Sequence, residues 1–158
     1  MLLLVSGLQG WKKPDFSGEW VLNIGNSRLK IRGLSHAWIR IDHQEPNFRF
    51  YRQFIINGRE NALSFELTTD GKEIITKEEK ETVYTRMYWE KDILVLDVRG
   101  VSEAEEYTNT VRYHLKDKGH TLLAEEKFRS HRLDYDNIWV FERRQLPRPY
   151  TLLYRNRY

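Results

Sequence analysis

The sequence predicts an all-β protein, a single antiparallel up-and-down β-barrel of about ten strands. Three observations carry this. Between Trp20 and Arg143, apolar and polar residues alternate with period two in segment after segment. Turn signals break the alternation at short intervals, at Glu45-Pro46-Asn47, Asn57-Gly58, Asp70-Gly71, Lys91-Asp92 and Lys116-Asp117-Lys118-Gly119. No long stretch holds the 3.6-residue period of an amphipathic helix.

The first strand is Phe16-Ser17-Gly18-Glu19-Trp20-Val21-Leu22-Asn23. Ser27 to Ser35 reads as a short helix or an irregular link. Ala37–Gln44 then pairs with Phe48–Ile56. Setting His43 opposite Phe48 also sets Ile41 against Phe50, Ile39 against Arg52 and Ala37 against Phe54. Asp42 against Arg49 and Arg40 against Tyr51 fall on the outer face. The next strand points Leu63, Phe65 and Leu67 inward and Ala62, Ser64, Glu66 and Thr68 outward. Arg52 then sits inward between Ile39 and Phe65.

Thr82–Glu90 pairs with Ile93–Arg99. Trp89 opposite Leu94 brings Met87 to Leu96 and Thr85 to Val98, an apolar face. The other face sets Tyr88 against Val95 and Arg86 against Asp97. Agreement on both faces supports the register, because a slip of one residue exchanges the faces. Ser102 to Glu106 is an acidic connection. In Glu106–Leu115 against His120–Arg129, a four-residue loop Lys116–Gly119 pairs Leu115 with His120. Tyr113 then meets Leu122, Val111 meets Ala124, Asn109 meets Glu126 and Tyr107 meets Phe128. Thr108, Thr110, Arg112, His114, Thr121, Glu125 and Lys127 form a solvated outer face. The last strand, Asn137–Arg143, is apolar on both faces, which predicts a covered outer face. The cover is expected from the N-terminal segment or the C-terminal tail. Closing this meander removes its exposed edges.

Composition narrows the classes. A chain of 158 residues makes one ordinary domain. No apolar run approaches the ~20 residues of a membrane-spanning helix. Aromatic residues, 13% of the chain, argue against disorder. With no cysteine there is no disulfide, thiolate zinc site or cysteine nucleophile. Residues 1–144 are charge-balanced, and the net charge of +3 resides in Arg148, Arg155 and Arg157. A neutral body provides no field to collect nucleic acid, so no nucleic-acid partner is expected. Oligomeric state is not legible.

Three regions follow: an N-terminal segment 1–14, a barrel 15–144 and a basic, aromatic tail 145–158. The opening MLLLVSGLQG lacks the positive start of a secretory signal. It reads either as a segment packed on the domain or as the end of a signal peptide that starts upstream. The second reading implies an exported or periplasmic protein and the first a cytoplasmic one.

Gly18-Glu19-Trp20 at the opening of the first strand resembles the calycin superfamily, the lipocalins and fatty-acid-binding-protein-like barrels. A wider pattern adds to it: FSGEWVLN followed by Asn26-Ser27, then IDHQEPN, TTDGKE, YWEKDILVLD and a closing WVFERR. Together these resemble a group of uncharacterised bacterial lipocalin-like proteins over residues 15–144. The resemblance implies structural roles for Gly18, Trp20 and Arg143 or Arg144. The tryptophan plugs the closed end and the arginine lies over its face. Fatty-acid-binding proteins hold a carboxylate with Arg-x-Tyr on the last strand. This chain has Glu142-Arg143-Arg144 there. Its Arg86-Met87-Tyr88 points Arg86 and Tyr88 outward, so that role is not carried over.

Chemistry is sparse. The histidines, His36, His43, His114, His120 and His131, show no metal-ligand spacing. His43, the one pointing inward, reads as satisfied by a neighbour. No nucleophile elbow or phosphate loop is present, and Lys77 to Glu81 is a mixed solvated charge run. No cofactor or metal is expected. The informative residues are inward polar ones, Arg52, Glu126 and Asn109, because an interior charge needs a partner or water. Either Arg52 and Glu126 form a structural pair, or they are the polar end of a ligand cavity. Phe48, Phe50, Phe54, Phe65, Met87, Trp89, Leu96, Tyr113 and Phe128 would line that cavity.

The expected function is non-covalent binding of a small, largely apolar molecule, with Arg52 anchoring an acidic or polar head. The alternatives are an enzyme using the same cavity (an isomerase, cyclase or hydrolase) and a packed barrel serving as an interaction module.

Overall fold

A computed structural model describes residues 12–145. Ten antiparallel strands form one sheet: β1 (Gly18–Leu22), β2 (Leu34–Gln44), β3 (Asn47–Ile56), β4 (Arg59–Thr68), β5 (Ile74–Lys77), β6 (Glu81–Glu90), β7 (Ile93–Ser102), β8 (Glu106–Lys116), β9 (Thr121–Ser130) and β10 (Asp134–Arg143). The strand order is β4-β3-β2-β1-β10-β9-β8-β7-β6-β5, so β1 pairs with β10 and the sheet curls into a nearly closed barrel. No helix of the described residues is long and apolar enough to cross a membrane. Expectations for residues 1–11 and 146–158, including any cover they give the outer face of β10, lie outside the described residues.

Two hairpins have the register read from the sequence. In β2–β3, His43 faces Phe48, Ile39 faces Arg52 and Ala37 faces Phe54. In β6–β7, Trp89 faces Leu94, Met87 faces Leu96 and Arg86 faces Asp97. Arg86 Nη2 lies 3.1 Å from Asp97 Oδ2 on the outer surface. An exposed pair of this kind contributes little, because water screens it and ordering two long side chains costs entropy. Arg86→Ala is therefore expected to leave the urea unfolding midpoint unchanged within error. A clear drop in the midpoint would show that the pair stabilises the middle hairpin.

The structure corrects three expectations. The β8–β9 register is offset by two residues, with Leu115 opposite Leu122, Tyr113 opposite Ala124, Val111 opposite Glu126 and Asn109 opposite Phe128. The connection is Asp117–His120, not Lys116–Gly119. Asp117, Lys118 and Gly119 have positive φ, and His120 N–H donates to Asp117 O at 3.1 Å. An even offset leaves both faces intact, so the inward set survives. The strand beside Arg52 also differs: its β4 neighbour is Leu63, and Phe65 sits opposite Phe50.

The third correction concerns closure. β4 and β5 are not paired, so the barrel keeps a slit. β5 is only four residues long, and a single bridge, Asp70 to Tyr88, ties the β4–β5 connection to β6. Leu63, though inward, is consequently 45% exposed. Ser27–Ser35 is a link with no helix: Arg28 bridges Ile138, and β2 begins at Leu34.

Antiparallel topology separates two ends. One carries the β2–β3, β4–β5, β6–β7 and β8–β9 connections. It is closed by fully buried Phe16, Trp20, Phe48, Met87, Leu94 and Leu122. Trp20 Nε1 donates to Phe16 O at 3.1 Å, and the Arg143 guanidinium lies 4.2 Å from the Trp20 ring centroid. Arg143, not Arg144, thus takes the covering role, donating to Ser17 O and Gly119 O. Gly18 permits this approach. Its φ is +142°, and a Cβ there would lie 2.5 Å from Arg143 Nη1.

His43 sits at the same end. The Phe16 amide donates to its Nδ1 at 3.2 Å, leaving Nε2–H to donate to Glu45 Oε1 at 2.8 Å. Glu45 also accepts from Thr69 Oγ1 and Trp89 Nε1. Despite some burial, these bonds hold the Glu45 carboxyl below its ordinary pKa.

Candidate functional site

A cavity of about 310 Å³ occupies the half of the barrel toward the other end. Its apolar wall includes Phe50 and Phe65, stacked at 4.8 Å, and Phe54 and Trp139, stacked at 5.1 Å. Period-two alternation supplies these side chains. Phe50, Arg52 and Phe54 come from β3 and Val111 and Tyr113 from β8, each set sharing one face of its strand.

Of the side chains expected at a ligand, Arg52, Glu126, Asn109, Phe50, Phe65 and Tyr113 line the cavity, as do Phe54 and Leu96. Phe48, Met87, Trp89 and Phe128 do not. Phe48 and Met87 point inward but lie too near the closed end, where they are fully buried. Trp89 is turned onto Glu45 and lies beside Phe16 at 5.9 Å. Phe128 is stacked between Tyr107 at 5.5 Å and Tyr135 at 5.0 Å. Alternation assigns a face, not a depth along the barrel.

The polar groups are separately partnered. Glu126 Oε2 accepts from Asn137 Nδ2 and from Trp139 Nε1, both at 2.9 Å. Its Oε1 accepts from Asn109 Nδ2 at 3.1 Å. All three are donors, matched to an acceptor-only carboxylate. Arg52 bonds not Glu126 but Asn61, with Nη1 to Oδ1 at 3.0 Å, and its guanidinium lies over the Phe54 ring at 4.1 Å. No ion pair among the described residues joins Arg52 to Glu126, so the expected structural pair is replaced by two independently held charges facing one cavity.

Burial lowers the Arg52 pKa, while the Glu126 charge and then Tyr113 oppose the shift. A guanidinium stays charged through such a change. Burial, then the Glu126 charge, raises the Tyr113 hydroxyl far above its ordinary value, so it stays a protonated donor. Asn109 Oδ1 is buried without a hydrogen-bond partner among the described residues.

Sequence reasoning missed Asn61, Asn137 and Trp139 as holders of the two charges, and Ile31 and Tyr135 as lining. A signal existed for one of them: Asn137 is a polar residue on the Trp139 face of a strand otherwise apolar there. Among the described residues, no three His, Asp or Glu side chains gather into a group that could hold a metal ion.

No protein-family model and no curated protein matches the sequence. Among solved structures, the chain is similar to secretory abundant heat soluble protein 4 from Ramazzottius varieornatus, with TM-score 0.53 and 12% identity over 85% of this chain and 99% of that one. It is also similar to a secretory abundant heat soluble protein of the same organism taken from a dimer sample, with TM-score 0.50 and 12% identity over 85% and 98%. Human cRBP IV superposes more loosely, with TM-score 0.49 and 16% identity over 83% and 99%. The first two likenesses show the fold, a calycin-like barrel, and nothing about function.

Proposed function

We propose that the protein binds a small, largely apolar molecule non-covalently inside the barrel, with Arg52 holding its polar end. The cavity carries this reading. It measures about 310 Å³ and has mostly apolar walls with a few convergent polar groups, the usual make-up of a small-molecule site. That volume also counts against a packed barrel. The sequence pattern of residues 15–144 supports kinship with bacterial lipocalin-like proteins.

Arg52 is the anchor because Asn61 takes one of its donors and leaves others for a guest. Glu126 does not depend on it, so Arg52→Leu is expected to leave stability nearly unchanged. The same change is expected to weaken binding of a fluorescent lipid probe by about tenfold or more, the weight of a charge-assisted hydrogen bond. The probe is a fluorescent fatty alcohol or fatty acid, whichever the wild type binds. Equal affinity in wild type and a stably folded Arg52→Leu protein would remove the anchor role. Native mass spectrometry of gently purified protein, showing a retained mass, tests the binding reading directly.

A further inference from the structure

The cavity wall carries one fixed cation and one fixed anion, Arg52 and Glu126. Each is held from its own side, Arg52 by one hydrogen bond to Asn61 that leaves its other donors open and Glu126 by Asn109, Asn137 and Trp139. Asn137 is 1% exposed, so Glu126 is braced from within the barrel wall rather than by solvent. Tyr113, Tyr135 and Asn109 add further polar groups to the wall. The Tyr113 hydroxyl has no hydrogen-bond partner among the described residues, and Asn109 Oδ1 is an unused acceptor.

This arrangement reads the charge of a guest's head. A carboxylate gains Arg52 but is repelled by Glu126, and an ammonium gains Glu126 but is repelled by Arg52. Both lose their hydration on entering, in a place where charge interactions are stronger than in bulk water. A neutral head with one donor and one acceptor meets no repulsion. It accepts from Arg52 and the Tyr113 hydroxyl and donates to the Glu126 or Asn109 side. A cavity of about 310 Å³ lies at the small end of the range for small-molecule sites, which favours a guest of modest size.

Resting on the ligand-binding reading above, we propose that the site selects an uncharged, donor-and-acceptor head, a primary alcohol or carboxamide on a medium-length alkyl chain. It rejects the carboxylate and the ammonium of the same chain. Glu126 is the specificity-determining residue, since it cancels the attraction Arg52 alone would exert on an acid.

The test is isothermal titration calorimetry of the full chain at neutral pH with decanol and decanamide below their solubility limits and decanoate and decylammonium below their micelle concentrations. Decanol and decanamide are expected to bind at least about tenfold more tightly than either charged analogue. In Glu126→Gln, decanoate is expected to gain affinity until it equals or exceeds decanol. Decanoate or decylammonium binding as tightly as decanol to the wild type overturns the selectivity while leaving the ligand-binding reading in place. Binding of none of the four overturns that reading and the selectivity with it. An unchanged preference for alcohol over acid in folded Glu126→Gln overturns the role of Glu126. If that variant fails to fold, the wild-type series alone decides the selectivity.

Discussion

Trp20→Ala is expected to destabilise the protein by ~3–5 kcal/mol, read as a shift in the urea unfolding midpoint at constant slope. Trp20 is fully buried at the closed end. The change opens a cavity, leaves Phe16 O without its indole donor and takes away the ring beneath the Arg143 guanidinium. Phe16 makes the site hard to collapse, because its own amide is tied to His43. Trp20→Phe, which keeps most of the volume and loses the N–H, is expected to recover most of the loss. A Trp20→Ala protein of unchanged stability would show that the plug at this end does not hold the barrel together.

Glu126→Leu is the second large effect. The carboxylate takes hydrogen bonds from Asn109, Asn137 and Trp139. A leucine leaves three N–H donors facing an apolar group, two of them on residues at most 6% exposed. Each stranded buried donor costs about 1–3 kcal/mol, so roughly 3 kcal/mol or more is expected in total. Asn137→Leu in the Glu126→Leu background is expected to cost less than in the wild type, because the two share one network. The measurement is a double-mutant cycle by urea unfolding. Additive costs would show that the network contributes nothing as a unit.

Most of the fold was legible because its information is local. Period-two alternation places each strand's side chains on a face, and a tight turn ties the two strands of a hairpin together. Glu45-Pro46 and Lys91-Asp92 therefore yielded the registers of β2–β3 and β6–β7 residue for residue. The inward direction of Arg52, Asn109 and Glu126 and the outward direction of Arg86 follow from the same rule.

The β8–β9 connection shows where local information ends. Asp117 and Lys118 adopt positive φ, a conformation non-glycine residues rarely take, and this moved the register by two without exchanging the faces. Only the tertiary structure decided three further matters. Depth along the barrel put Met87 and Trp89 in the plug and Arg52 at the cavity, since it depends on strand tilt and on how the ends close. The four-residue length of β5 left a slit where a closed barrel was expected. Glu126 is held by Asn137 and Trp139 of β10 and Arg52 by Asn61 of β4. A sequence shows which face a polar side chain takes. Its partner is set by which strands become neighbours and by their stagger, and so it appeared only when the sheet closed on itself.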